Sequence, residues 1–159
     1  MLLKLISAII FLTPLNAFAD KGRDELQGVI SKAISNKDLP LLDSCYTWEG
    51  VHEIQRDSEW FYWEHIFKEN EKDGVQVDSI KWIPLEEVDD ELIKEAATKT
   101  KSIRGRVYSF NIKILGVMSV EYKDGRIGTQ LFAGLDEKGR WKLASTKISA
   151  EPSPDKDKE

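Results

Sequence analysis

The stretch from Arg106 to Lys123 constrains the fold more than any other part of the chain. Its even positions read Tyr108, Phe110, Ile112, Ile114, Gly116, Met118, Val120 and Tyr122. Its odd positions mix Ser109, Asn111, Lys113, Ser119 and Glu121 with Val107, Leu115 and Val117. A period of two sends alternate side chains to opposite faces of a sheet. The segment therefore predicts one or two half-buried strands, with Gly116 as the bend or bulge. Asp124-Gly125 reads as a two-residue hairpin turn, pairing Tyr122 with Ile127, Val120 with Thr129 and Met118 with Leu131. Asp136-Glu137-Lys138-Gly139 reads as a three-residue loop with Gly139 in the left-handed position. That loop pairs Asp136 with Arg140, sets Leu135 against Trp141 and sets Ala133 against Leu143. One face of the meander is then Tyr122, Val120, Met118, Ile127, Leu131, Ala133, Leu135, Trp141 and Leu143. A one-residue slip would expose the whole set, so the register is well specified. The other face holds Leu115, Val117, Phe132, Ala144 and Ile148 and is too apolar to be fully wet. It predicts partial cover, which a second copy in a homodimer would supply.

The first half of the chain reads as helical. Asp24, with Gln27 three residues on, is a capping-box arrangement. It introduces the stripe Leu26, Val29, Ile30, Ala33 and Ile34, ending near Asn36. Asp38 caps a short second helix carrying Leu39, Leu42 and Tyr46. Asp57 or Ser58 caps a third, running to about Asn70. On that helix Trp60, Tyr62, Trp63, Ile66 and Phe67 share one arc, while Phe61 falls among the polar residues. Asp73-Gly74 turns the chain into a strand, Val75–Ile83, ended by Pro84. Glu86–Thr98 predicts a weak, charged helix.

The extreme ends read differently. Lys4, the apolar run Leu5–Leu12, Pro14 and the small residues of Ala17-Phe18-Ala19 together predict a secretory signal cleaved after Ala19. A spanning helix needs about 20 apolar residues, and Pro14 with Asn16 interrupts this run sooner, so no transmembrane anchor is expected after cleavage. No cysteine follows the run for lipid attachment. The expected location is periplasmic or secreted. One cysteine forbids an intramolecular disulfide, which suits a periplasm better than a small stapled extracellular domain. Residues 151–159, EPSPDKDKE, read as a disordered charged tail. Residues 20–150 are then one domain, large enough to fold without staples. A net charge of −5 argues against nucleic-acid binding. Two histidines and one cysteine give no metal site, and no glycine-rich phosphate loop follows a strand. No cofactor is expected.

Helices first, then a strand, a helix and a long antiparallel meander predict an α+β fold, with N-terminal helices on a curved antiparallel sheet. Two stretches carry a resemblance. One is Ala33-Ile34-Ser35-Asn36-Lys37-Asp38-Leu39, a helix breaking at a polar turn before an aspartate. The other is Gly134-Leu135-Asp136-Glu137-Lys138-Gly139-Arg140-Trp141-Lys142-Leu143-Ala144, an Asp/Gly turn leading into a Trp-Lys strand. Both resemble the cone-shaped nuclear-transport-factor-like superfamily, which includes ketosteroid isomerases, scytalone dehydratase and the polyketide-cyclase (SnoaL-like) group. A cystatin-like helix-on-meander fold competes. The resemblance implies a pocket between the helices and the concave sheet, where enzymatic members place acids, histidines or tyrosines.

Here the inward strand positions are almost all apolar, with only Tyr108 and Tyr122 carrying polar tips. A general base must reach into the pocket, and the candidates are few. Asp78 shares strand parity with Ile80 and Trp82, and a bulge near Ser79 would turn it to solvent instead. His52 lies near Glu49, Glu53 and Asp57, and His65 lies on the polar arc of the third helix. Cys45 reads as a small buried hydrophobe. Trp63, Trp82, Tyr108 and Tyr122 are candidate ligand contacts. Lys99, Lys101, Arg104 and Arg106 read as a charge-protected strand edge or as a site for an anionic ligand. The leading expectation is an exported, non-enzymatic domain binding an apolar ligand or a protein partner. The rivals are a cyclase/isomerase-like enzyme acting on a small hydrophobic substrate and a cell-envelope accessory protein presenting Phe61 and the basic patch.

Overall fold

The structure, a computed structural model, describes residues 15–150 and the side chains of 20–149. The signal-like segment up to Pro14 and the tail 151–159 lie outside the described residues. The architecture is α+β, as the element order predicts. Helices α1 (Leu15–Asn36), α2 (Leu39–Cys45) and α3 (Glu53–Lys72) come first, then strand β1 (Val77–Pro84), a short 3-10 helix (Leu85–Glu87) and α4 (Glu91–Thr98). Strands β2 (Lys101–Ile103), β3 (Arg106–Phe110), β4 (Lys113–Tyr122), β5 (Ile127–Leu135), β6 (Trp141–Leu143) and β7 (Thr146–Ala150) complete it. They form two antiparallel sheets, ordered β1-β4-β5-β6 and β2-β3-β7.

Helix α1 begins before Asp24, which is therefore interior and caps nothing. The preceding residues Leu15–Arg23 contain no proline to stop the helix, so a capping-type pair inside it marks no boundary. Gln27 instead donates to the Ile80 carbonyl at 2.6 Å, tying helix to sheet. Asp38 caps α2 as expected, accepting from the Leu41 amide at 2.9 Å. Helix α3 starts earlier than Asp57 because His52 caps it. The imidazole Nδ1 accepts from the Ile54 amide, and the Gln55 side chain accepts from the His52 amide. The expected helix over 86–98 is split: Val88 is buried between the 3-10 helix and α4, and Asp90 caps the latter.

The Arg106–Lys123 repeat makes two strands in different sheets, broken at Asn111-Ile112. Gly116 lies at the expected bulge, where the β4–β5 register shifts between Ile114 and Gly116. The Asp136–Gly139 hairpin pairs as expected, with Leu135 opposite Trp141 and Ala133 opposite Leu143. Gly139 has the left-handed φ of 71° that the loop requires. The Asp124-Gly125 turn differs. Tyr122 accepts from Gly125 and donates to the Arg126 carbonyl, which makes a three-residue loop, and Ile127 lies opposite Glu121. A second shift between Ser119 and Glu121 restores the expected pairing of Met118 with Leu131.

The main core unites Ile30 and Ala33 of α1, Leu42 of α2, Trp63 and Phe67 of α3 and the sheet residues Met118, Val120, Leu131, Ala133 and Leu143. This is the predicted inward face, except that Ile127 and Leu135 at its margins are exposed. On the opposite face Val117 and Ala144 are buried as well. The chain itself supplies cover there: the 3-10 helix packs on β4, and Phe110 of β3 lies 4.7 Å from Phe132 of β5, ring centre to ring centre.

Candidate functional site

Two chain crossovers between the sheets create the most chemically open cleft. Strand β3 leaves the small sheet for β4 at Asn111, and β6 leaves the large sheet for β7 at Ser145. The corners are stitched together, since Asn111 donates its amide to the Ser145 carbonyl at 3.0 Å and accepts from the Ser145 amide at 2.9 Å. Asn111 Nδ2 also donates to the Thr47 carbonyl at 2.7 Å. The Thr47 amide donates to the Leu143 carbonyl, laying Tyr46-Thr47 along the free edge of β6. A cleft of about 300 Å³ opens between this corner and α3. Its walls include Tyr46, Glu59, Tyr62, Phe110, Phe132 and Ser145.

Tyr46 sits at the base of the cleft, 6% exposed. Its phenol donates to Glu59 Oε1 at 2.9 Å and accepts from the buried Trp63 indole at 2.9 Å. Burial pushes the Tyr46 hydroxyl well above the ordinary phenol range, and the Glu59 carboxylate pushes it the same way. It therefore stays a neutral donor whose hydrogen bonding is complete. Glu59 keeps its other oxygen free of protein hydrogen bonds among the described residues. At the mouth, the Tyr62 hydroxyl meets Thr129 Oγ1 at 3.0 Å, linking α3 to β5. Ser145 is 6% exposed, and its Oγ has no hydrogen-bond partner among the described residues, as is also true of the buried Trp48 and Trp141 indole N–H groups. A buried hydroxyl left without a partner costs about 1–3 kcal/mol.

Beside the cleft lies a satisfied network. Asp43 of α2 accepts two hydrogen bonds from Arg56, at 3.2 and 2.6 Å, and one from Trp60 Nε1 at 2.7 Å. Burial alone would raise the Asp43 carboxyl, but the bonds from Arg56 and Trp60 outweigh it and hold the group below its usual range. The Arg56 guanidinium lies 5.4 Å from the Trp48 ring centre, and Trp48 stacks on Tyr46. This network fixes where α2 and α3 meet, and so where Tyr46 and Glu59 point.

Two larger grooves have their charges already paired. One of about 660 Å³ lies between α1 and the β5–β6 hairpin. There Glu25 pairs with Lys21, Arg140 with Asp136, and Lys142 donates to the Ser44 carbonyl. Cys45 lies beneath that groove, 2% exposed, and burial pushes its thiol up, with Lys142 pulling the other way. In the other, of about 460 Å³, Lys37 pairs with Glu71, Lys123 donates to Gln76 and Asn70 donates to the Tyr122 hydroxyl. Size favours these grooves, and the larger one also holds the buried Trp141 indole N–H without a partner among the described residues. The cleft differs in its aromatic walls and in a carboxylate with an unpaired oxygen.

The residues singled out from sequence are spread through the fold. Trp63 is core at 2% exposed. Trp82 packs edge-on against Trp141, with Arg23 over its ring. Tyr108 lies in the small sheet, beside a separate pocket of about 120 Å³. Tyr122 is buried against Asn70. Asp78 is exposed at a bulge between Val77 and Ser79 in the β1–β4 pairing. His52 is exposed at the start of α3, and His65 is exposed along it. Lys101, Arg104 and Arg106 lie along the exposed β2 edge and its turn. Among the described residues no group of histidine, cysteine and acidic side chains could hold a metal ion, and no helix is long and apolar enough to cross a membrane. Glu59 and Ser145 were not legible as site residues. Glu59 did carry a signal, because it lies four residues before Trp63 and so about 40° from it around α3, a charge within the aromatic arc.

No protein-family model matches the chain, and no curated protein matches it significantly.

Proposed function

We propose that the chain is an exported, non-enzymatic binding domain that holds a small, largely apolar ligand in the cleft of Tyr62, Phe110 and Phe132, with Glu59 as its polar contact. The observation that carries this reading is the Glu59 carboxylate, whose second oxygen has no protein partner among the described residues, in a cleft walled by Tyr62, Phe110 and Phe132. A cleft of about 300 Å³ is at the small end of ligand sites. The resemblance to the nuclear-transport-factor-like superfamily implies a pocket on the concave sheet face, which here is filled by core, and the cleft lies instead at the corner between the two sheets. The Lys4-to-Ala19 pattern supports export. The non-enzymatic reading is supported by Tyr46, whose hydroxyl is held by both Glu59 and Trp63, and by the outward position of Asp78.

Titration of the labelled protein with phenethyl alcohol, followed by amide NMR, tests the reading. Shifts confined to Tyr62, Phe110, Phe132 and Ser145, and lost in Phe132→Ala, are expected. Shifts scattered over the surface, or none up to millimolar ligand, would overturn it. N-terminal sequencing of the exported protein should begin at Asp20.

A second reading rests on α3, where Phe61 is 73% and Ile54 68% exposed one above the other, seven residues apart. Large apolar side chains rarely stand free in this way, which supports docking to a protein partner or a second copy. Equilibrium sedimentation of the full chain and of Phe61→Ser separates these: a dimer abolished by the substitution supports self-association through α3.

A further inference from the structure

The charge inside the cleft selects the class of ligand. Glu59 is its one acidic wall residue, and no lysine, arginine or histidine lines it. Arg56, one turn earlier on α3, is committed to Asp43. Lys99 and Lys101 line the adjoining small pocket, which meets the cleft at Phe110 and Thr146, and Lys99 already pairs with Glu95. The carboxylate shares the cleft with rings and with no cation: Tyr46, Tyr62, Phe110 and Phe132 line it too. An anionic ligand would meet an uncompensated like charge. A neutral ligand would leave that charge without a counterion. An ammonium ion answers both features, accepting the carboxylate as counterion and the ring faces as a cation–π surface.

Resting on the reading above, we propose that the ligand is a small organic amine in its protonated form, with an aromatic or alkyl body among Phe110 and Phe132 and its N–H groups donating to Glu59. No bond is made or broken.

Three probes of one shape and different charge test this on the full chain by calorimetry and amide NMR: phenethylamine, phenethyl alcohol and phenylacetate. Phenethylamine is expected to bind about tenfold more tightly than the alcohol, a difference of the size that one charge-assisted contact brings. Phenylacetate is expected to bind most weakly. In Glu59→Gln, which retains an acceptor for Tyr46, amine and alcohol should come within about twofold of each other. If alcohol and amine bind the cleft equally in the unsubstituted protein, or phenylacetate binds best, the amine assignment is overturned and the cleft remains a ligand site. If none of the three moves the cleft resonances, both fail. Thermal unfolding of Glu59→Gln near that of the unsubstituted protein shows that a loss of preference is not a loss of fold.

Discussion

Asn111 and Ser145 hold the two sheets at a common corner. They exchange two hydrogen bonds across 34 residues of sequence, and the Asn111 side chain reaches on to Thr47. One side of the cleft depends on this junction, because β3, β4, β6, β7 and the Tyr46-Thr47 edge all meet at it, while α3 and β5 form the other side.

Asn111→Ala should therefore be costly for a single polar residue. It strands the Ser145 amide and the Thr47 carbonyl, both at partly buried positions. An expected loss is about 1–3 kcal/mol, read as a lower urea midpoint at an unchanged slope. Asn111→Asp keeps the acceptor for Ser145 but sets a carboxylate oxygen against the Thr47 and Glu49 carbonyls, so its midpoint should fall as well at neutral pH. An alanine variant as stable as the parent would show that the corner is held by packing alone.

Tyr46→Phe removes one oxygen and leaves two partners unmet, the Trp63 indole and Glu59. A loss of about 1–3 kcal/mol is expected at neutral pH. The pH dependence has a definite sign. Burial and then Glu59 raise the folded-state pKa of Tyr46 well above its ordinary 10.0. Its stabilising contribution is full below pH 10 and is lost as pH rises from there toward the folded value, because the unfolded chain ionises first. Phenolate absorbance should show one of the four tyrosines ionising only with unfolding, and Tyr46→Phe should be less sensitive to alkali.

Local chemistry explains what could be read from the sequence. The Asp136–Gly139 hairpin was legible because Asp136 itself organises the loop, accepting from the Lys138 and Arg140 amides. Asp38 was legible as a cap for the same reason. At Asp124-Gly125 the same residue pair serves a loop one residue longer, and the bulge near Val120 compensates. Turn residues reveal the presence of such a bend but not its length. The break of the long repeat at Asn111 left no local signal either, since alternation continues through it. The site was harder still to read. Ser145 matters through a partner 34 residues away, which leaves no pattern in nearby sequence.

Asp43 makes the helix junction acid-sensitive. Its folded-state pKa lies below the ordinary 3.8, because the bonds from Arg56 and Trp60 outweigh burial. A depressed carboxyl contributes stability above the unfolded value and loses it as pH falls through the folded one. Arg56 keeps 47% of its side chain exposed, so the contribution is on the order of 1 kcal/mol. Urea midpoints of the parent and Asp43→Asn should differ at pH 7 and converge below about pH 4. A gap that persists undiminished in acid would assign the effect to Trp60 packing.

Gly116 is required by a close approach, not by its φ. A Cβ there would run into the Ile83 carbonyl oxygen of β1 and the ring of Trp82. Pro84 lies opposite Gly116 in the β1–β4 register, so β1 has little freedom to move aside. Gly116→Ala should cost about 1–3 kcal/mol or more, the range for overpacking a core. It should also change the near-ultraviolet dichroism of the Trp82–Trp141 pair, whose rings meet edge-on at 5.1 Å. A second substitution separates the two clashes. Trp82→Ala clears the ring but leaves the Ile83 oxygen in place, so adding Gly116→Ala to Trp82→Ala should still destabilise, by less than in the parent. If the pair is fully additive, the ring is not part of the obstruction. If the glycine substitution becomes harmless once Trp82 is gone, the backbone contact is not the obstacle and β1 yields more easily than its pairing with β4 implies.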